Sequence, residues 1–403
     1  MKKQVLIIAV FILATAIMVA PGLSKKAKDD SPESVRFWIS SDGDVLVEEI
    51  QRVGGAFSKV KRESSGTLLR LRWPATAIWH NLPDEPILGN RHGSAHFIGG
   101  ERLFAITSQV SGDDDYRVLF WDGIRGIWRL LAPMATLDPV RGVFRTTLGP
   151  KRWVSIASPD DGVRVCGFIL DDYLSDVERK LCFDPPNPLS PRTVVQSEDG
   201  NTVGIVMVPL KPNISQKSRM TKEEVQRRQG KVEVAMFDVS GTEPTVRVGR
   251  VESLKVGDTE PDTIVAAGNC FISAYYENEK VRMIGFEVTN KGTIEKMSFN
   301  ISLDRLAPDS MVELSPSIKG DGVVLIDSDG DKAAINKLSP KLASLKKWTL
   351  KIPKDAEGPI RQLLFNDSMG FLYLCDSKGK IIVRTEGGST DVLWPQEKKA
   401  EKR

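Results

Sequence analysis

Histidine and cysteine are scarce, with three and four residues in a chain of 403. That scarcity excludes a small disulfide-dense scaffold, and haem or redox chemistry built on Cys-x-x-Cys, a spacing that does not occur. Gly-x-Ser-x-Gly, His-Glu-x-x-His and the phosphate-binding Walker loop are missing as well. The standard signatures of nucleotide, serine-hydrolase and zinc-protease chemistry are therefore absent. No sign of charge dominates: 56 Lys and Arg stand against 53 Asp and Glu, a net +3 that falls to +1 without Lys2 and Lys3. Such a balance gives no overall footprint for nucleic acid. Helical periodicity is nearly absent, and long apolar runs are confined to one.

That run extends from Val5 to Ala20 behind a Met1-Lys2-Lys3-Gln4 start. As a helix it would measure about 24 Å, short against a bilayer core of about 30 Å. A basic start, an apolar middle and a small-residue site at Gly22-Leu23-Ser24 read as an export signal over residues 1–24. The uncleaved alternative is an inner-membrane anchor over residues 5–23. Both versions place the remainder outside the cytoplasm, in the periplasm or beyond it. Residues 25–34 read as a charged linker, 35–395 as one folded domain, and 396–403 as a charged tail.

The composition between these ends is that of a globular chain, 41% hydrophobic and 27% charged with 33 Gly and 23 Pro. Its organisation is repetitive. A short apolar strand, a tight Gly, Asp or Asn turn and a second strand recur at Val35–Ile39, His96–Ile98, Phe144–Thr147, Thr193–Val195, Thr263–Val265, Val312–Leu314 and Gln362–Phe365. The turns lie about 50 residues apart except for one interval of about 69. Further hairpins follow several of them, as at Val118–Trp121 with Gly126–Leu130. Four strands per unit of about 50 residues is the size of a propeller blade, so the spacing predicts an all-β chain of seven four-stranded antiparallel blades. A pair of β-sandwiches is the competing arrangement, and the regular spacing argues against it.

Two turns carry a family resemblance. Ser158-Pro159-Asp160-Asp161-Gly162 and Ser197-Glu198-Asp199-Gly200-Asn201 resemble the Ser-Pro-Asp-Gly turn of TolB-type and WD40-like β-propeller repeats. The resemblance implies that superfamily and no particular activity, since such repeats serve scaffolds and enzymes alike.

The long interval is filled by a basic insertion from Lys211 to Lys231, with Lys211, Lys217, Arg219, Lys222, Arg227, Arg228 and Lys231 against two acidic residues. Loops grafted on a rigid scaffold often carry function, so these residues are candidates for contact with an acidic partner or anionic lipid. All three histidines, His80, His92 and His96, fall within 17 residues and are the candidate ligands for a Zn²⁺. Two of them would stand about 13 Å apart in one extended strand, which weakens that reading. Asp327-Ser328-Asp329-Gly330-Asp331 spaces carboxylates as a Ca²⁺ loop does, but Lys332 and Leu338 stand where an EF-hand needs Gly and Glu, and a hairpin turn explains the pattern. Cys166 and Cys182 flank a hairpin whose paired positions sum to 348, so they are candidates for a disulfide, while Cys270 and Cys375 read as buried thiols. Ser339 and Pro340 suggest the start of a short helical turn.

The expectation is therefore an exported cell-envelope propeller acting as a non-catalytic binding or assembly scaffold for envelope proteins, without nucleic acid and without an obligatory cofactor. The alternatives are a propeller hydrolase acting on glycans, with paired carboxylates at the channel mouth, and a metal-binding propeller using the histidines.

Overall fold

The computed structural model describes residues 34–50, 67–73, 78–82, 91–98, 103–109, 116–122, 126–130, 145–148, 153–157, 165–170, 177–183, 189–209, 229–240, 248–261 and 263–395. The N-terminal apolar run lies outside them. Among the described residues there is no helix.

The strands among the described residues form seven four-stranded antiparallel sheets. The first holds β1 to β4 (Ser34–Ile39, Val45–Ile50, Thr67–Trp73, Ile78–Asn81), and the second β5 to β8 (Arg91–Ile98, Leu103–Gln109, Tyr116–Asp122, Ile127–Leu130). The third holds β9 to β12 (Arg145–Leu148, Trp153–Ala157, Val165–Leu170, Val177–Phe183), and the fourth β13 to β16 (Leu189–Gln196, Thr202–Pro209, Lys231–Asp238, Val248–Lys255). The fifth holds β17 to β20 (Thr263–Ala267, Cys270–Glu277, Lys280–Val288, Ile294–Asp304), and the sixth β21 to β24 (Met311–Pro316, Val323–Ser328, Lys332–Leu338, Ser344–Lys351). The seventh holds β25 to β28 (Ile360–Asn366, Phe371–Asp376, Ile381–Thr385, Thr390–Trp394). The seven apolar repeats of the sequence fall on the first strand of each sheet. These first strands touch in succession, and β25 returns to β1, so they are innermost and the sheets stand around a common axis.

The second strands explain how the ring packs. Val323-Val324-Leu325-Ile326 is a continuous apolar run, and every residue of β22 is buried, because a strand between two neighbouring sheets needs apolar groups on both faces. β14 behaves likewise. Their side chains feed cores between sheets: Val206, Val234, Phe271 and Phe286 join the fourth to the fifth, and Ile326, Trp348, Phe365 and Leu374 join the sixth to the seventh. Phe271 stacks on Phe286 at 5.1 Å between ring centroids. Fully buried groups of this size contribute about 1.5–3 kcal/mol each.

Among the described residues each sheet is made of consecutive strands, and the first and last sheets meet through side chains. Phe37, Val45 and Val47 pack with Tyr373, Ile381 and Trp394. Gln362 hydrogen-bonds both backbone groups of Phe37, and Asn366 Nδ2 donates to the carbonyls of Ser40 and Ser41 at 3.1 and 3.2 Å. Toward the rim, Trp79 Nε1 donates to the Leu393 carbonyl at 3.0 Å, and the Trp79 and Trp394 rings meet edge to face.

One expectation is corrected. Ser339 starts a tight turn between strands, not a helix: Leu342 N–H donates to the Ser339 carbonyl, Ala343 N–H donates to Ser339 Oγ, and β24 begins at Ser344. Leu342 adopts a left-handed backbone (φ 63°), which stops a helix at its first turn.

Candidate functional site

Antiparallel order fixes two ends of the ring. Connections between first and second strands and between third and fourth strands lie on one end, here the turn face. Connections between second and third strands and between successive sheets lie on the other, the loop face.

The turn face is held by serine and aspartate side chains bonded back to their own backbone. Ser197 Oγ donates to Asp199 Oδ1 at 2.6 Å and accepts from Thr202 N–H at 2.9 Å, while Asp199 Oδ1 also accepts from Asn201 N–H at 3.0 Å. Gly200, at φ 74°, closes this turn in a conformation that favours glycine. Ser40 accepts from Asp44 N–H in the equivalent turn of the first sheet. In the sixth sheet Ser317 Oγ lies 2.6 Å from Asp321 Oδ1 and 2.7 Å from Asp367 Oδ2 of the seventh. Lys337 Nζ ion-pairs with the same two carboxylates at 2.8 and 2.7 Å, joining the two sheets.

Among the described residues, recesses open between these turns. One, about 640 Å³, has walls from three sheets: Glu198 from the fourth, Asn269, Cys270 and Glu287 from the fifth, and Lys341 and Leu342 from the sixth. Asn269 Nδ2 donates to Glu287 Oε1 at 2.9 Å, and its Oδ1 lies 3.3 Å from the Cys270 thiol. Burial, then the Glu287 charge, pushes that thiol up to about 12. A second recess, about 370 Å³, is bordered by Asp199, Asp238, Ser240, Asn290 and Lys291. The third, about 320 Å³, lies at the axial mouth and is mainly apolar, with Trp38, Ile39, Phe97, Pro316 and Leu364.

The expected sites are distributed as follows. His80 is exposed on β4, the outer strand of the first sheet, whereas His92 and His96 lie on β5, the inner strand of the second. A blade width separates those two strands; the side chains of His92 and His96 lie outside the described residues. The register pairs Cys166 directly with Cys182, and those side chains also lie outside them. Lys211, Lys217, Arg219, Lys222, Arg227 and Arg228 are outside the described residues; Lys231 opens β15, so the insertion leaves and re-enters the ring at the loop face. Asp329 Oδ1 accepts from Asp331 and Lys332 N–H groups at 3.0 and 2.9 Å, and Asp327 Oδ2 accepts from Leu306 N–H, so these carboxylates build a hairpin and hold the incoming connection. Among the described residues no group of three His, Cys, Asp or Glu side chains is placed to hold a metal ion. The seven inner strands carry one carboxylate, Glu313, whose pKa burial raises, so no pair of inner-strand carboxylates faces the channel.

Glu198, Asn269, Glu287 and Lys341 escaped the sequence analysis. Glu198 sat in a recognised turn, but only strand parity places it on the same end as Lys341.

Among solved structures the chain is similar to a Bacteroides uniformis protein provisionally named a 6-phosphogluconolactonase, with 16% identity, a TM-score of 0.50, and coverage of 87% of this chain and 94% of that one. It is similar also to the Cps50 (Swd1) β-propeller domain of Myceliophteria thermophila, with 11% identity, a TM-score of 0.50, and coverage of 89% and 98%. No family model and no curated protein matches the chain. At such identities the likeness establishes the fold: the chain is a β-propeller, without a specific family.

Proposed function

We propose that this chain is an exported, seven-bladed propeller of the cell envelope that acts as a non-catalytic binding scaffold for protein partners. The observation that carries this reading is the gathering, on one end of the ring, of recesses walled by turns from neighbouring sheets. The serines and aspartates that border them are committed to holding those turns, so the face is a rigid platform with charged groups at its edges. The basic insertion supplies a second contact surface at the opposite end.

The test is a cross-linked pull-down of the tagged chain from solubilised envelope, repeated with residues 211–231 deleted and with Glu198→Lys/Glu287→Lys. A partner identified with wild type, reconstituted in vitro and lost with one variant supports the scaffold and assigns its face. Absence of any partner that survives reconstitution overturns it.

One observation favours the glycan-hydrolase reading: Glu198 and Glu287 share the 640 Å³ recess. Turnover of envelope glycans that disappears in both Glu198→Gln and Glu287→Gln would replace the scaffold reading with that one.

A further inference from the structure

Between Lys332 and Lys354 the chain carries seven lysines, no arginine and no acidic residue. This run forms β23, the turn after it, β24 and the start of the connection to β25. Lys337 is spent inside the ring, on Asp321 and Asp367. Lys332 and Lys346 make loose pairs with Asp329 and Glu386 at 3.9 and 3.8 Å. Lys347, Lys351 and Lys354 are exposed and make no side-chain hydrogen bond or ion pair among the described residues.

The strand turns these charges outward for a simple reason. Alternation puts Trp348 and Leu350 on one face, where they are buried against the seventh sheet, and Leu345, Lys347, Thr349 and Lys351 on the other, where all four are exposed. Leu345 keeps 53% of its surface in solvent beside these cations. From Leu345 to Lys351 the exposed row runs about 20 Å along the outermost edge of the sheet. The charge belongs to this edge alone: β24 is +3, and none of the other six outer strands exceeds +1.

We propose that the outer edge of the sixth sheet is a docking surface by which the ring lies against an anionic bilayer. Lysine is a strongly hydrated point charge on a flexible stem, suited to a fluid field of phosphate headgroups. A fixed acidic site would favour the planar, bidentate arginine, which this edge lacks. An exposed leucine among lysines adds an apolar group at headgroup depth. The inference goes beyond the scaffold reading and does not depend on the turn-face recesses.

The test is co-flotation of the full chain with vesicles of phosphatidylglycerol and phosphatidylcholine, against phosphatidylcholine alone. The N-terminal segment is the same in wild type and variants, so the readout is the change in anionic excess between them. Wild type is expected to prefer the anionic vesicles and to lose the preference in high salt. Lys347→Gln/Lys351→Gln/Lys354→Gln is expected to lower the excess roughly 10–100-fold, and the matching Lys→Arg triple to retain it. Equal anionic excess in wild type and the Gln triple overturns the proposal, as does equal binding of wild type to both vesicles. Intact vesicle binding by the Gln triple, with loss of an acidic protein from the pull-down, would assign the edge to a protein and overturn it too.

Discussion

Gln362 is bonded to both backbone groups of Phe37, a residue 325 positions earlier: Nε2 donates to the carbonyl at 2.8 Å, and Oε1 accepts from the N–H at 3.2 Å. The side-chain amide of the last sheet thus imitates a strand neighbour for the first. Gln362→Ala leaves both groups without partners at the closing seam and is expected to destabilise the fold by about 1–3 kcal/mol, with Gln362→Glu intermediate because it keeps an acceptor. Calorimetry of both variants checks this. A midpoint unchanged in Gln362→Ala would mean that apolar packing closes the ring unaided.

Lys337 ties Asp321 to Asp367 between the sixth and seventh sheets. Hydrogen bonds from Lys337 and then Ser317 hold Asp321 below the ordinary carboxylate range. Burial pulls Lys337 down, but the bonds to Asp321 and Asp367 outweigh it and leave its pKa raised. The Asp321 contribution is therefore present above the ordinary value of 3.8 and fades as pH falls through its depressed one. The Lys337 contribution is present below the ordinary 10.5 and is lost as pH rises through its raised one. Lys337→Met leaves the buried Asp367 carboxylate without its counter-charge, held only by Ser317 and the Ile318 N–H, and is expected to cost about 2–3 kcal/mol near neutrality. Urea titrations across pH should find that cost shrinking at both extremes.

Glu313 titrates in the sense opposite to Asp321. Burial raises its pKa without a described partner, so its contribution favours the fold below the ordinary 4.5 and is lost as pH rises through the raised value. Glu313→Gln is expected to raise the unfolding midpoint at pH 8 by a few degrees, on the order of a 1 kcal/mol gain, with little effect at pH 4. A gain that is the same at both pH values would refute the assignment.

Thiol reactivity separates the four cysteines. Burial pushes Cys270 and Cys375 up to about 12, so both should resist iodoacetamide at pH 8 until the chain unfolds. The direct pairing of positions 166 and 182 leads to a further expectation: protein folded under oxidising conditions and then unfolded without reduction should label at two cysteines, and at four after reduction.

The first strands were legible because a strand near the axis must be short and apolar, and a tight turn must follow it. Val312-Glu313-Leu314 and Gln362 to Phe365 announce β21 and β25 in this way. Ser339 misled because a serine before proline caps a helix and a strand turn with the same hydrogen bond. The 640 Å³ recess was not legible: Glu198 and Lys341 lie 143 positions apart and meet because three sheets bring their turns to one end, a relation carried by no local pattern. The seven lysines between Lys332 and Lys354 drew no reading from the sequence, because only the burial of Trp348 and Leu350 shows which residues of that stretch face outward.

Because among the described residues no sheet borrows a strand from the opposite end of the chain, each described backbone ladder is completed within a stretch of neighbouring residues. A polypeptide emerging N-terminus first can finish one blade before the next emerges, with little exposed strand edge waiting for a late partner. Only the seam of Phe37, Gln362 and Trp394 must wait for the final segment. Assembly thereby becomes a sequence of short, local events ending in a single docking step.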